Sequence, residues 1–365
     1  MTTFHLIGGF LGAGKTTAMA RLAAHYTAQG KRVGLVTNDQ AAGLVDTHTL
    51  ASAGYPVGEV AGACFCCKFD DLVDAAGTLA TDAPLDILLA EPVGSCTDLV
   101  ATVLEPMRQL HGARYQIGPL TVLLKPEHGQ KILRNQEGLG FSPKAAYIFL
   151  KQLEEADVIV VNKADKLSTV EQDELIDLLQ TRYPEKKVIL ASLRTGLGLE
   201  QLTAALDSQT QESLPLQIDY DTYADGEAEL GWLNAESDLE GAELPLDQLA
   251  HQIVSQLGDK LVTEGLEVVH LKVLCEGDGT FAVANLVSSG SSAELSVSSG
   301  QTASQAKVII NARVAADPAM LAEWTDQVLQ ETAASHEAAL HRGKFRHFRP
   351  GRPEPTHRLS KPQAS

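Results

Sequence analysis

The feature that most constrains this chain is a glycine-rich loop between an apolar strand and a helix, close to the N-terminus. Residues 9–16 read GFLGAGKT and fit the pattern G-x-x-x-x-G-K-[ST] of a phosphate-binding loop, or P-loop. The glycines let successive backbone N–H groups face phosphate oxygens, and the helix that follows adds its dipole. Lys15 is expected to reach the β and γ phosphates, and the Thr16 hydroxyl to ligate Mg²⁺. The residues predicted to bind nucleotide here are Gly9, Gly12, Ala13, Gly14, Lys15, Thr16 and Thr17.

The first two hundred residues alternate short apolar runs with helical patterns. KRVGLVT, LDILLAE, PLTVLLK, ADVIVVN and KKVILAS are such runs. Strands separated by helices predict a mostly parallel sheet, with ligands at the carboxyl ends of the strands. A smaller α+β unit with an antiparallel sheet is expected after it.

The chain length favours two domains. We predict an α/β P-loop NTPase domain over residues 1–210 and an α+β domain over residues 244–335. Between Arg194 and Lys260 there is no Lys or Arg, so residues 211–243 read as an acidic linker. Residues 336–365 are basic and rich in proline, which predicts a disordered tail.

A second motif concerns the base of the nucleotide. NKAD, residues 162–165, follows the predicted strand ADVIVV and matches the Asn-Lys-x-Asp element of GTPases. The Asp165 carboxylate can accept two hydrogen bonds from guanine, which adenine does not offer in that arrangement. GTP is therefore favoured over ATP, and an ATP-using kinase is the weaker alternative. Asn162, Lys163 and Asp165 are the predicted guanine-site residues. Ser192 is added because its loop, SLRTGLG, resembles the last guanine-contacting loop of GTPases.

Two acidic residues stand at predicted strand ends where Mg²⁺ and the γ-phosphate would lie. Glu91 ends LDILLAE and Asp39 ends GLVTND. Mg²⁺ prefers carboxylate and water oxygens beside the phosphates, so Thr16, Glu91 and Asp39 are its candidate ligands. Lys15, Asp39 and Glu91 are the candidate catalytic residues. Gln40 is a candidate for orienting water, but no arginine finger stands out, so slow hydrolysis accelerated by a partner or by dimerisation is expected.

Three of the five cysteines lie within GACFCC, at positions 64, 66 and 67. A disulfide between adjacent residues would be strained, and a metal suits three thiolates better. In an extended segment Cys64 and Cys66 point away from Cys67, so a turn must bring them together, and Gly62 permits one. Thiolates select Zn²⁺, Cu(I) or Co²⁺. The alternative is that the clustered cysteines fill a helix–sheet seam. Cys275, in a predicted strand of the C-terminal unit, is expected in the core.

The composition limits the partners. A net charge of −18 argues against nucleic acid, and no apolar stretch is long enough to cross a membrane. The N-terminus lacks the pattern of a secretory signal, so a cytoplasmic location is expected.

The order P-loop, Cys-x-Cys-Cys, Glu-x-x-Gly in EPVG and NKAD resembles that of CobW-like GTPases, relatives of the urease and hydrogenase accessory GTPases. The resemblance covers about residues 4–210 and implies a GTP-dependent metallochaperone. Cys64, Cys66 and Cys67 would hold Zn²⁺ or Co²⁺ for a client metalloprotein or a cobalamin-pathway protein. The alternative is a G-protein chaperone that gates loading or repair of a cobalamin-dependent enzyme, with structural cysteines. A homodimer is compatible with both.

The chain departs from the family pattern in two places. The first switch reads TNDQAAGLVD, closer to the urease accessory proteins, which weakens the transfer of a role to Asp39. The second reads EPVGSCTD and places Cys96 five residues after Glu91. Our hypothesis is that Cys96 is a further metal ligand. The alternative is that it is an incidental small residue. The histidines at 336, 341, 347 and 357 are too irregular to predict a metal tract.

Overall fold

The computed structural model describes residues 1–39, 45–134, 143–208 and 214–359. The chain forms two compact units. The first contains Met1–Gln40, Thr49–Gly226 and Arg352–Ser365, and the second contains Ala41–His48 and Glu227–Gly351. Gln40, the candidate for orienting water, lies outside the described residues.

The first unit is built on eight parallel strands with helices between them. The strands are β1 (Thr2–Gly9), β2 (Val33–Asp39), β3 (Val57–Ala61), β4 (Ile87–Glu91), β5 (Tyr115–Ile117), β6 (Thr121–Leu124), β7 (Val158–Val161) and β8 (Lys187–Leu190). The helices are α1 (Lys15–Ala28), α2 (Val45–Ser52), α3 (Phe69–Leu79), α4 (Glu105–His111), α5 (Pro126–Leu133), α6 (Pro143–Glu155), α7 (Thr169–Arg182), α8 (Leu199–Leu206) and α9 (Tyr220–Ala228). Helices α2 and α9 contain positions where the chain passes from one unit to the other.

The strand order is β3-β2-β4-β1-β6-β7-β8, with β5 also paired to β1. The strands are apolar because both faces of the sheet are covered; every residue of β2, β4, β6 and β7 is buried. Ile7, Leu35, Leu89 and Val160 belong to one continuous core with helix α1. The predicted parallel sheet is confirmed, and it aligns the carboxyl ends of β1, β2, β4 and β7 at one edge.

Local signals explain several element boundaries. Ser168 caps α7 in a capping box with Glu171, in which each side chain satisfies a backbone N–H of the other residue. A short 3₁₀ turn, Ala164–Lys166, precedes this helix. A π-helical turn, Val100–Leu104, runs directly into α4. Such turns are frequent at functional sites.

The second unit is an antiparallel sheet with two helices. Its elements are β9 (Gly231–Pro245), α10 (Leu246–Thr263), β10 (Val268–Gly277), β11 (Thr280–Leu286), β12 (Glu294–Val297), β13 (Thr302–Val314), α11 (Pro318–Ser335) and β14 (Ala339–Phe348). The strand order is β12-β11-β10-β13-β9-β14. Cys275 lies in the core, where desolvation raises the pKa of its thiol. The separate α+β unit is confirmed.

The structure differs from two predicted stretches. The stretch predicted as an acidic linker contains α9 and β9, and β9 pairs with both β13 and β14. Acidic side chains are accommodated because β9 alternates them with buried residues such as Leu239. The predicted basic tail contains β14, and residues 352–359 pack against the first unit. Its basic side chains pair with acids, as Arg342 does with Asp326, so composition alone misjudged its order.

Candidate nucleotide and metal site

The P-loop connects β1 to α1 through three glycines with positive φ. Gly9, Gly12 and Gly14 have φ values of 133°, 75° and 93°, a region that other residues rarely adopt. A Cβ at Gly9 would stand 2.2 Å from the Leu123 carbonyl oxygen, and one at Gly14 would stand 2.5 Å from Asn162 Nδ2. The glycines are therefore required both for the turn and for close contact with neighbouring strands. Thr17 is exposed in the first turn of α1.

The structure brings Lys15, Thr16 and Glu91 together. The Lys15 Nζ atom lies 3.7 Å from a Glu91 carboxylate oxygen, and the Thr16 hydroxyl donates to the same carboxylate at 3.2 Å. Lys15 and Glu91 are each only 7% exposed. A buried ammonium, a hydroxyl and a carboxylate at a helix N-terminus are the groups that hold Mg²⁺ and polyphosphate oxygens.

Asp39 lies at the same sheet edge, at the end of the neighbouring strand β2. Thr37 of β2 is the partner of Glu91 in β4, so Asp39 extends two residues beyond the end of the neighbouring strand. Its side chain is buried. Its role beside the phosphates stays a prediction.

Asn162 connects the two nucleotide motifs. Its amide nitrogen donates to the Ala13 carbonyl at 2.8 Å, and its amide oxygen accepts the Leu193 N–H at 3.1 Å. Both contacts are buried. One side chain thus fixes the P-loop against the loop after β8, which contains Ser192.

Asp165 lies at the exposed rim of this arrangement. Lys163 adopts a left-handed conformation with φ 61°, which turns the chain after β7 and leads Asp165 into the 3₁₀ turn. Ser192 and Arg194 hold the pKa of the Asp165 carboxyl below its ordinary value. Arg194 Nη2 lies 2.9 Å from that carboxylate. A guanine base would take up the same carboxylate oxygens, so Arg194 is an internal competitor that the sequence did not indicate.

The three clustered cysteines converge in a tight turn, residues 62–68, which we call the cysteine loop. It joins β3 to α3, and Gly62 at its start has φ 95°. The N–H groups of Cys67 and Lys68 both donate to the Cys64 carbonyl at 3.0 Å. The Cys64 sulfur lies 2.7 Å from that of Cys66 and 3.3 Å from that of Cys67. A tetrahedral Zn²⁺ holds thiolate sulfurs about 3.8 Å apart, so a small spreading of this turn suffices.

The neighbouring thiols shift one another's pKa values. Hydrogen bonds from Cys66, Cys67 and Cys96 lower the pKa of Cys64 well below the ordinary thiol value. The Cys64 sulfur in turn raises the pKa of Cys66 well above that value and the pKa of Cys67 to about 11. A soft metal must therefore displace protons from thiols that hold them. Within the parts of the chain that the structure describes, Cys64, Cys66 and Cys67 are the single group of three or more metal-ligating residues.

The sequence analysis missed Asn38, which holds the cysteine loop. Its amide nitrogen donates to the carbonyls of Val60 and Ala63 at 2.9 and 2.8 Å, and its oxygen accepts the Phe65 N–H at 2.7 Å. Asn38 precedes Asp39 at the end of β2. Its place in the Thr-Asn-Asp stretch that ends β2, next to the acid Asp39, is the sequence signal that could have found it.

Cys96 joins the thiol cluster from a different loop. It is 1% exposed, and its thiol helps to lower the pKa of Cys64 and to raise that of Cys66, while the group of sulfurs that all lie within 4.8 Å of one another consists of Cys64, Cys66 and Cys67. Gln152 donates to the Cys96 carbonyl at 2.8 Å and to that of Gly94 at 3.1 Å, which fixes this loop to α6. The loop starts at Glu91, so residues 91–98 carry both the acid that contacts Lys15 and Thr16 and a thiol.

Asp98 ends this loop and was also missed. It is a buried non-glycine residue with φ 61°. Its carboxylate accepts the Tyr220 hydroxyl at 2.6 Å and Arg358 Nε at 2.7 Å. Desolvation raises the pKa of Asp98.

Of the four histidines noted in the sequence, His357 contacts the Phe69 ring beside the cysteine loop, at 5.2 Å between centroids, while His341 lies in β14.

Comparison with known proteins identifies the first unit. The model of the CobW/HypB/UreG nucleotide-binding domain matches residues 3–190. The zinc chaperone YeiR of Escherichia coli K12 is 33% identical over 197 residues, which are 52% of this chain and 55% of YeiR. The chain thus spans little more than half of that relative's length.

Solved structures that this chain resembles include nickel-bound HypB from Helicobacter pylori. It is 19% identical, with a TM-score of 0.42 over 56% of this chain and 84% of HypB. Zn(II)-bound YjiA GTPase from E. coli is 14% identical, with a TM-score of 0.38 over 85% of this chain and 94% of YjiA. These likenesses are too distant to bear on function.

No helix among the described residues is long and apolar enough to span a membrane.

Proposed function

Because the chain belongs to the CobW/HypB/UreG family, we propose that it is a GTPase that carries a transition metal ion, with zinc favoured, and delivers it to a client protein. The observation that carries this proposal is the attachment of the thiol cluster to the nucleotide site. Asn38 fixes the cysteine loop to the end of β2, and Cys96 approaches it from the loop that begins at Glu91.

The nucleotide part of the proposal rests on the P-loop and on Asp165. The P-loop would hold the phosphates, and Asp165 with Asn162, Lys163 and Ser192 would form the guanine site. Thr16 and Glu91 fit a Mg²⁺ cofactor because their hard oxygens already lie together. Asp39 would contribute from the neighbouring strand. The ion would supply charge neutralisation on the phosphates, and Lys15 would stabilise the charge that develops during hydrolysis.

The metal ion is cargo rather than a resident cofactor. The three thiols of the cysteine loop would bind it, and Cys96 would supply a fourth sulfur from the Glu91 loop. Thiolates suit Zn²⁺ and Co²⁺ alike, but the relative named a zinc chaperone favours Zn²⁺. Because one ligand belongs to a loop that also faces the γ-phosphate, nucleotide state changes how many sulfurs the ion can use. Metal must then change nucleotide affinity by the same factor.

The test is an anaerobic titration of the reduced protein with Zn²⁺ and with Co²⁺, in Mg²⁺ with either GDP or a non-hydrolysable GTP analogue. We expect thiolate-to-cobalt absorption and an affinity that differs between the two nucleotides. The double variant Cys66→Ser/Cys67→Ser should lose binding, whereas Cys275→Ala, which removes a thiol from the core of the second unit, should keep it. Metal binding indifferent to nucleotide and to the double substitution would refute the proposal and favour gating by protein contacts.

The role of Cys96 is tested separately. Cys96→Ser should weaken Zn²⁺ binding in one nucleotide state and reduce the difference between the two states. Unchanged affinity in both states would show that Cys96 only fills space. Slow GTP hydrolysis, accelerated by a partner or by dimerisation, is also part of the proposal; single-turnover rates at increasing protein concentration would test it.

A further inference from the structure

Residues 352–359, which we call the strap, run without regular secondary structure across the cysteine loop. The Glu354 N–H donates to the Cys67 sulfur at 3.2 Å. The Thr356 N–H donates to the Cys66 carbonyl at 2.8 Å, and the Thr356 hydroxyl donates to the Cys67 carbonyl at 3.0 Å. The strap therefore covers the part of the cluster that includes Cys67, its least buried thiol.

The other end of the strap is fixed to the loop that contains Cys96. Arg358 contacts both carboxylate oxygens of Asp98, at 2.7 and 3.3 Å, and the Leu359 N–H donates to the Ala101 carbonyl at 2.8 Å. Asp98 is 1% exposed. The strap thus spans the cysteine loop and the end of the Glu91 loop, the two segments that supply the four thiols.

The bonding pattern indicates a segment that can detach without unfolding its neighbours. Apart from Arg358, its polar contacts with the two loops are the four hydrogen bonds described above, three of them from main-chain N–H groups, and Pro353 is the one buried residue of the strap. Segments held in this way open locally at much lower cost than a core strand. Pro353 and Pro355 limit the conformations available to the released strap, which favours its return. Arg358 donates to a buried carboxylate and is the strongest single attachment.

We propose that the strap is a gate on the metal site. When it is attached, the Glu354 N–H occupies Cys67 and the main chain of the strap covers the cysteine loop, so an incoming ligand cannot approach the sulfurs from that side. Detachment opens the loop and frees the Glu91 loop at Asp98. A client that presents an extended segment with an arginine can replace the strap by making the same main-chain and Asp98 contacts. The inference rests on the proposed function, because a gate serves a purpose only if the protein transfers metal. The thiol-accessibility test does not depend on metal transfer.

The first test measures thiol accessibility in the metal-free, full-length protein. Glu354→Pro removes the N–H that reaches Cys67, and Glu354→Ala is its matched control because it keeps that N–H. Arg358→Ala removes the Asp98 contacts. Its control is Arg342→Ala, which lies outside the strap in the second unit and loses a surface ion pair with Asp326. Alkylation at each cysteine is followed by peptide mass spectrometry, with GDP binding and the protection of Cys275 reporting that both units remain folded.

We expect Cys67 to be alkylated roughly fivefold faster or more in Glu354→Pro and Arg358→Ala, as for the loss of one net hydrogen bond. Both controls should behave like the wild type. The Glu354 N–H stabilises the Cys67 thiolate, so its loss alone would slow alkylation. Faster alkylation of Cys67 would therefore report that the reagent gains access to its sulfur. Wild-type alkylation rates in both variants would overturn the proposal.

The second test measures transfer of Zn²⁺ from the loaded protein to a chromogenic chelator. The same two variants should transfer the ion faster than the wild type and the two controls. If the wild type holds no zinc, the metallochaperone function fails while the alkylation assay still decides the gate. If zinc binds but its transfer rate is the same in all five proteins, the gate fails while the metal function stands.

Discussion

The Asn38 amide oxygen accepts the Phe65 N–H at 2.7 Å while its nitrogen donates to the Ala63 carbonyl at 2.8 Å. One side chain at the end of β2 thus holds the main chain on both sides of Cys64. Because β2 ends at the same sheet edge as Glu91, the proposed function implies that a shift of its last residues on nucleotide exchange would be passed to the cysteine loop.

Asn38→Ala should uncouple metal binding from the nucleotide. The substitution leaves the Phe65 N–H and two carbonyls without their partner, which loosens the turn that brings the sulfurs together. We expect Zn²⁺ affinity to fall about tenfold and the difference between GDP and a GTP analogue to disappear, by competition with a fluorescent chelator. Asn285→Ala, which loses one exposed hydrogen bond in the second unit, is the control. Intact nucleotide dependence in Asn38→Ala would contradict this route of coupling.

Asn162→Ala should weaken nucleotide binding indirectly, because the Asn162 side chain holds the P-loop against the loop after β8. The buried Leu193 N–H loses its acceptor and the Ala13 carbonyl loses its donor. Loss of buried partners costs about 1–3 kcal/mol each, so GDP affinity should fall at least tenfold by fluorescence titration. Gly14→Ala should have a similar effect because its Cβ would stand 2.5 Å from Asn162 Nδ2. Gly30→Ala is the control; its glycine also has positive φ but meets no atom within 4 Å. Wild-type GDP affinity in Asn162→Ala would show that this connection does not support the P-loop.

Asp165→Asn should abolish the preference for guanine. In the proposed guanine site the Asp165 carboxylate would accept two hydrogen bonds from the base, and a carboxamide offers only one acceptor in its place. GTP and ATP affinities should then differ by less than about tenfold. Arg194→Ala provides the contrast, since it frees the carboxylate from an exposed ion pair worth at most about 1 kcal/mol. GDP should bind to Arg194→Ala up to roughly fivefold more tightly. A GTP preference that survives Asp165→Asn would exclude this guanine site.

The parallel sheet and the P-loop were predictable because they depend on local signals. Apolar runs such as VIVV at residues 158–161, and a glycine spacing that only a phosphate loop requires, leave few alternatives. Asn38, Asp98 and Arg358 were not predictable in this way. Their partners lie 27 residues away for Asn38 and 260 residues away for the ion pair, and single polar residues carry no periodic signal. The strap was missed for the same reason. A proline-rich basic composition is typical of disorder, whereas the order of the strap depends on hydrogen bonds to the cysteine loop and on the buried Asp98 of another loop.

Glu155 should make the first unit less stable as pH rises. It is fully buried at the end of α6, where desolvation raises the pKa of its carboxyl from 4.5 to about 8. Between these values the native protein keeps the proton and the unfolded chain releases it. The native state therefore binds more protons, and its free energy of unfolding falls by about 1 kcal/mol per pH unit in this range. This contribution is full below about pH 4.5 and is lost as pH rises through 8.

Glu155→Gln should flatten this part of the stability profile. The glutamine oxygen can accept the Val100 N–H, and its nitrogen can donate to the Thr97 hydroxyl, so both contacts of Glu155 have a substitute. Urea unfolding between pH 5 and pH 8 would give a smaller loss of stability in this variant than in the wild type. Glu154→Gln is the matched control, because Glu154 is the adjacent residue and pairs with Lys151 at the surface. Parallel profiles for the wild type and Glu155→Gln would mean that Glu155 is ionised in the native protein, with its charge stabilised by the N–H groups at the start of the π-helical turn.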